Sequence, residues 1–165
     1  MERAAWPLAR GSRPLQHEGM EPESSPIHQR ILLAVDQSGS SRGASDEAIR
    51  RAAREEAALI VLTVLEPHNL HLPGGTRRRI DQERDRLTAG ALAIVNRARA
   101  AGVRATYLIW EGDPAEAILE ASRAEDADAI VLGSRPRTSL RRLILGSVST
   151  EVSRRATCEV FVVPA

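Results

Sequence analysis

Five short, nearly unbroken apolar runs recur along the chain, each separated from the next by a stretch with helical spacing. This alternation restricts the fold more than any other feature. The runs are ILLAV (31–35), LIVLTVL (59–65), VRATYLIW (103–110), AIVL (129–132) and VFVV (160–163). A strand that is apolar at almost every position must be covered on both faces, which is the environment of a parallel sheet. Parallel strands need long crossovers, and the intervening segments read as helices. Ser40 or Ser41 can cap a helix reaching to about Ala58, with Ala44, Ala48 and Ala52 on one face. Ile80, Leu87, Ala91, Ile94, Val95 and Ala98 mark a longer helix over about 76–101, closed by Gly102. Asp113-Pro114-Ala115-Glu116 combines an N-cap, a proline at the first helical position and a glutamate three residues on. A last helix follows Gly146. The expected fold class is α/β, one open doubly wound parallel sheet of five strands with helices on both faces and no tandem repeat.

The chain has 165 residues, enough for one domain with a substantial core. Residues 1–29 differ from the rest: Pro7, Pro14, Pro22 and Pro26 punctuate them and apolar residues are sparse. Such a segment cannot offset its ordering entropy by burial, so a disordered N-terminal tail is expected, with Met20 an alternative start. The domain is expected over residues 30–165.

Composition narrows the chemistry. Aromatic residues are only 2%, so any bound base must lie between aliphatic side chains rather than stack on rings. The net charge of +1 argues against a nucleic-acid-binding surface. All 23 basic residues are arginine, which excludes a lysine Schiff base or a phosphate-loop lysine. Cys158 is the single cysteine and allows no intrachain disulfide, in keeping with a reducing compartment. No apolar run approaches membrane-spanning length and no signal-peptide pattern opens the chain, so a cytoplasmic location without membrane contact is expected.

In an open parallel sheet, ligands bind beyond the carboxyl ends of the strands where strand order reverses. The first run ends at Asp36. The fourth ends at Gly133 and leads into GSRPRTSLRRLILGSVST (133–150), where Gly146-Ser147 opens a helix. A carboxylate can accept hydrogen bonds from ribose hydroxyls or a base amine, while a helix N-terminus offers N–H groups and partial positive charge to phosphate. Ser147, Ser149 and Thr150 add hydroxyls. Each piece alone has an ordinary explanation, Asp36 as a turn former and Ser147 as a helix cap. Only their combination at strand carboxyl ends points to a ligand. His68 and His71 lack a nearby third ligand, and Glu111 stands beside a capping Asp113, so neither a metal site nor a catalytic set is expected.

With these residues in view, the chain resembles the universal stress protein family over about Arg30 to Pro164. The resemblance rests on ILLAVDQS, LIVLTVLEP, WEGDPAEAIL and the glycine loop. In the family's ATP-binding branch that loop reads Gly, two residues, Gly, nine residues, Gly, then Ser or Thr. Here Gly133, Pro136, Gly146 and Ser147 keep the spacing, with proline at the second glycine. The resemblance implies strand order 3-2-1-4-5 and a homodimer paired through Val160 to Val163. It implies that Ala34, Val35, Asp36 and Val64 surround base and ribose. Leu132, Gly133, Gly146, Ser147, Val148 and Ser149 then hold ribose and phosphates; independently of the resemblance, the guanidinium of Arg135 near a helix N-terminus can grip phosphate from the side. On this reading the ligand is ATP, with Mg²⁺ on its phosphate chain, and the protein is a regulatory or stress-survival module.

Pro136 is the departure from the pattern. Its ring fixes φ near −65° and it has no amide hydrogen. Losing one charge-assisted hydrogen bond costs about 1.5–3 kcal/mol, or roughly 10- to 150-fold in affinity. Arg135, Arg137, Arg141 and Arg142 stand against that loss. Two alternatives stay open: a nucleotide-free dimeric interaction scaffold in which Pro136 marks a lost site, and, more weakly, a slow nucleotide hydrolase.

Overall fold

The apolar runs form strands buried along nearly their whole length, and the alternation of their side chains between the two faces sorts the molecule into layers. The computed structural model describes residues 29–36, 40–66, 76–134 and 146–164. Their elements run β1 (Arg30–Val35), α1 (Ser40–Glu55), β2 (Ala58–Leu65), α2 (Thr76–Ala100), β3 (Ala105–Glu111), α3 (Pro114–Ala124), β4 (Ala129–Ser134), α4 (Ser147–Arg155) and β5 (Glu159–Pro164). All strand pairs are parallel, in the order β3-β2-β1-β4-β5. The sheet is the five-stranded, doubly wound α/β architecture read from the sequence, and β1 and β4 are neighbours.

Alternate residues of each strand face opposite layers. Ile31, Leu33, Val35, Leu59, Val61 and Val131 pack under α1 and α2. Leu32, Ile60, Leu62, Ile130 and Leu132 pack under α3 and α4. On α1 the face toward the sheet is Ala44, Ala48 and Ala52, all 1% exposed or less, so small side chains let that helix approach closely. Leu87, Ala91, Val95 and Ala98 do the same for α2. Leu119 and Val152 anchor α3 and α4. At the sheet's edge the Arg51 guanidinium of α1 lies 3.6 Å from the centre of the Phe161 ring on β5, a cation–π contact that ties the outer strand to the helical layer.

Asp113 caps α3 as the Asp-Pro pair predicts: its Oδ1 accepts the N–H groups of Ala115 at 3.0 Å and Glu116 at 3.1 Å. A cap of this kind contributes about 1 kcal/mol. α3 and α4 are clasped by Arg155, whose guanidinium donates to both carboxylate oxygens of Glu116 and, at 2.9 Å, to Glu151. The hydrogen bond from Arg155 holds the Glu116 carboxyl below the usual glutamate range. A carboxylate with a lowered folded-state pKa stabilises the protein above its unfolded pKa and stops doing so as pH falls through the folded value. Acidification below about pH 4.3, the ordinary glutamate pKa, should therefore weaken the α3–α4 clasp. A Glu116→Gln variant should show a smaller loss of stability in acid than the parent when urea midpoints are compared between pH 7 and pH 3.

Cys158 lies in the bend before β5 and is half-buried. Burial pushes its thiol pKa up, away from the reactive thiolate. The expected tail falls on residues 1–29, of which Gln29 alone is described. Among the described residues no helix is long and apolar enough to cross a membrane.

Candidate functional site

Because β1 sits between β2 and β4, with α1 and α2 on one face of the sheet and α3 and α4 on the other, the strand order reverses at β1. A cleft of about 290 Å³ opens at the carboxyl ends of these strands, on the α3–α4 side. Its floor and walls are aliphatic: Ala34 from β1, Leu62 and Val64 from β2, Leu132 from β4 and Ile118 from α3. Val35, Asp36, Gly133, Gly146, Ser147, Val148 and Ser149 complete the part that sequence reasoning had singled out. Every residue assigned to the site by the resemblance and described by the structure thus lines one cavity, whereas Thr150, also weighed for its hydroxyl, is exposed and does not. Arg135, Pro136 and the arginines at 137, 141 and 142 lie outside the described residues, as do His68 and His71.

Asp36 follows the last residue of β1 and its carboxylate is held in place. The Ser41 hydroxyl donates to Asp36 Oδ1 at 2.6 Å and accepts the Asp36 N–H at 3.3 Å. Ser41 is itself buried, and its carbonyl accepts the Ser45 hydroxyl at 2.6 Å. The first turn of α1 therefore fixes the acid at the cleft. The sequence showed Ser41 only as a helix cap; its grip on Asp36 is a tertiary fact.

At the opposite wall α4 begins. Gly146 is its N-cap, in extended conformation, with no side chain to bond the first N–H groups of the helix. This contrasts with α3, where Asp113 takes two of them. The amides of Ser147, Val148 and Ser149 head a helix whose dipole places partial positive charge at the cleft. Ser147 is the first helical residue rather than the cap, and its side chain is exposed. Ser149 is 2% exposed and its hydroxyl donates to the Gly146 carbonyl at 3.0 Å. What Ser149 can offer an anion in this arrangement is its N–H rather than its hydroxyl proton.

Five lining residues were not among those expected. Ser41 and Glu66 add polar groups, and Leu62, Pro114 and Ile118 add apolar surface. Leu62 and Glu66 share the period-two face of Val64, and that alternation was the signal that could have found them. Pro114 and Ile118 come from the packing of α3 on the sheet, which no local pattern announces. The only charged residues among the described lining are Asp36 and Glu66, both carboxylates.

A helix N-terminus without a side-chain cap faces a carboxylate across an aliphatic cleft at the switch point of a parallel sheet, the place where α/β domains of the doubly wound class bind ligands. The family is equally plain. The model of the universal stress protein family matches residues 28–164, and the chain belongs to that family. It is 37% identical over 143 residues to a universal stress protein of Thermus aquaticus, covering 83% of this chain and 99% of the relative. It is 31% identical over 147 residues to the universal stress protein YxiE of Bacillus subtilis, with the same coverage. Among solved structures it is similar to a universal stress protein in complex with cAMP. That likeness has a TM-score of 0.64 and 28% identity, over 84% of this chain and 98% of the other.

Proposed function

We propose that this universal stress protein binds an adenine nucleotide, with ATP as the ligand, and acts as a regulatory or stress-survival module. The observation that carries the reading is the uncapped α4 N-terminus at one end of an aliphatic cleft that has Asp36 at its rim. Phosphate suits the amides of Ser147, Val148 and Ser149. Ribose hydroxyls suit the Asp36 carboxylate that Ser41 fixes, and the faces of the base suit Ala34, Val35, Leu62, Val64 and Leu132. The complex of a similar protein with cAMP supports an adenine nucleotide as the ligand class. Among the described residues no three His, Cys, Asp or Glu side chains gather as a metal site. Mg²⁺ would accordingly reach the protein on the phosphate oxygens with its own water shell.

The chain forms a homodimer on this reading. The β5 edge supports it: Val160, Phe161, Val162 and Val163 are half-buried on a strand with a neighbour on one side only. The cytoplasm is the compartment in which the single thiol would stay reduced.

The test is titration calorimetry with ATP on the protein and on a Pro136→Gly variant. The expected result is measurable binding by the parent and an affinity about ten-fold or more higher in the variant, which regains an amide donor. Absence of heat from both, with both folded, would assign the protein to the nucleotide-free scaffold class instead.

A further inference from the structure

We infer that Ile118 on α3 is a specificity-determining residue of the cleft. It closes the end where the base lies and restricts the site to nucleotides whose six-membered ring carries nothing larger than an amino group at its far edge. The inference rests on the nucleotide reading above and concerns which bases the site admits. Its first support is position. α4 packs against β4 and β5, whereas α3 packs against β2. A nucleotide with its phosphates on the α4 amides would therefore run across β1 toward β2 and α3, a span of two strand spacings or about 10 Å. The far end of such a ligand is the six-membered ring, because the sugar is attached through the five-membered one. Pro114 and Ile118 are the described residues that α3 contributes to the lining at that end.

The second support is the shape of the floor. Ala34 on β1 is in register with Leu62 on β2 and with Leu132 on β4, and all three line the cleft. A methyl group between two isobutyl groups leaves a trough. Ile118 belongs to the same packed cluster as both leucines and is 4% exposed, so it walls the trough rather than fringing its mouth.

The third is stiffness. Asp113 holds the first turn of α3, Arg155 ties Glu116 to α4, and Ala115, Leu119 and Ala121 are all 2% exposed or less. A β-branched side chain on a helix also has essentially one χ1 rotamer. Ile118 thus has little freedom to retreat. A wall of carbon reads no hydrogen bond; it selects by size. At about 290 Å³ the cleft is at the small end of the range for ligand pockets, which leaves added carbons little alternative room.

The experiment compares ATP and N6-benzyl-ATP by calorimetry on the parent and on Ile118→Ala, well below the variant's thermal midpoint. The parent should bind ATP about ten-fold or more tighter than the benzyl analogue. The alanine variant should bring the two within about three-fold or reverse their order. A general loss of packing would lower both affinities together and leave their ratio alone. Should the alanine variant not fold, Ile118→Val with N6-methyl-ATP makes the same test on a smaller scale, and the lost methylene should narrow the preference for ATP by about three-fold or more. Equal affinity of the parent for ATP and N6-benzyl-ATP, or an unaltered ratio in the folded variant, would overturn the inference and leave nucleotide binding standing. A parent that binds neither would instead overturn the nucleotide reading, and the inference with it.

Discussion

Replacing Asp36 with alanine should weaken ATP binding roughly 10- to 150-fold, the worth of a charge-assisted hydrogen bond from a ribose hydroxyl. The effect should be large because the carboxylate is already aimed. Ser41 holds one of its oxygens at 2.6 Å, so little rotamer freedom is lost when a ligand arrives. Calorimetry with ATP and with its 2′,3′-dideoxy analogue separates this role from a general loss of shape. The parent should prefer ATP, and the variant should bind the two alike. A variant that keeps the preference would show that the ribose is held elsewhere. Asp36 is exposed, so the substitution should leave the fold intact. Any change in thermal midpoint should be small beside the change in affinity.

The second large effect is on stability and comes from the other layer. Leu33 on the central strand is fully buried against the α1–α2 side. Leu33→Ala should cost about 3–5 kcal/mol, combining lost transfer energy with a cavity that rigid strand neighbours cannot close. For a domain of this size that corresponds to a fall of roughly 10–15 °C in thermal midpoint. Below its own transition the variant should bind ATP with the parent's affinity, because Leu33 faces away from the cleft. Circular dichroism melts and a titration well below the midpoint check both halves.

Much of this architecture was legible because its signals are local. Asp113-Pro114 fixed the start of α3, and the alanine spacing on α1 marked the face it buries. The ends of elements were less legible, for reasons that are now visible. α1 stops at Glu55 rather than near Ala58, because Glu56 takes a left-handed φ of 55° and the Ala58 N–H bonds to Gln29. β3 begins at Ala105 instead of Val103: Gly102, with φ 79°, ends α2, and the Val103 N–H returns to the Ala98 carbonyl. β4 runs on to Ser134 because β5 pairs with it residue for residue through Pro164. Pairing partners far away in sequence decide such boundaries, and no single segment contains them.

The same division holds for the cleft. Asp36, Gly133 and Gly146 could be read from their places at strand and helix ends. The Ser41 lock, the α3 wall of Pro114 and Ile118, and the place of Glu66 at the rim all needed the assembled layers.

The strict alternation of the strands also shapes how this protein can change over generations. At Ala34, Val64 and Leu132, mutation alters the lining of the cleft. At Leu33, Val61 and Val131, the adjoining or nearby positions, it alters whether the sheet persists. Novelty and durability are thus threaded through the same few strands on interleaved positions. A lineage can revise the lining of this cleft one residue at a time without renegotiating its architecture.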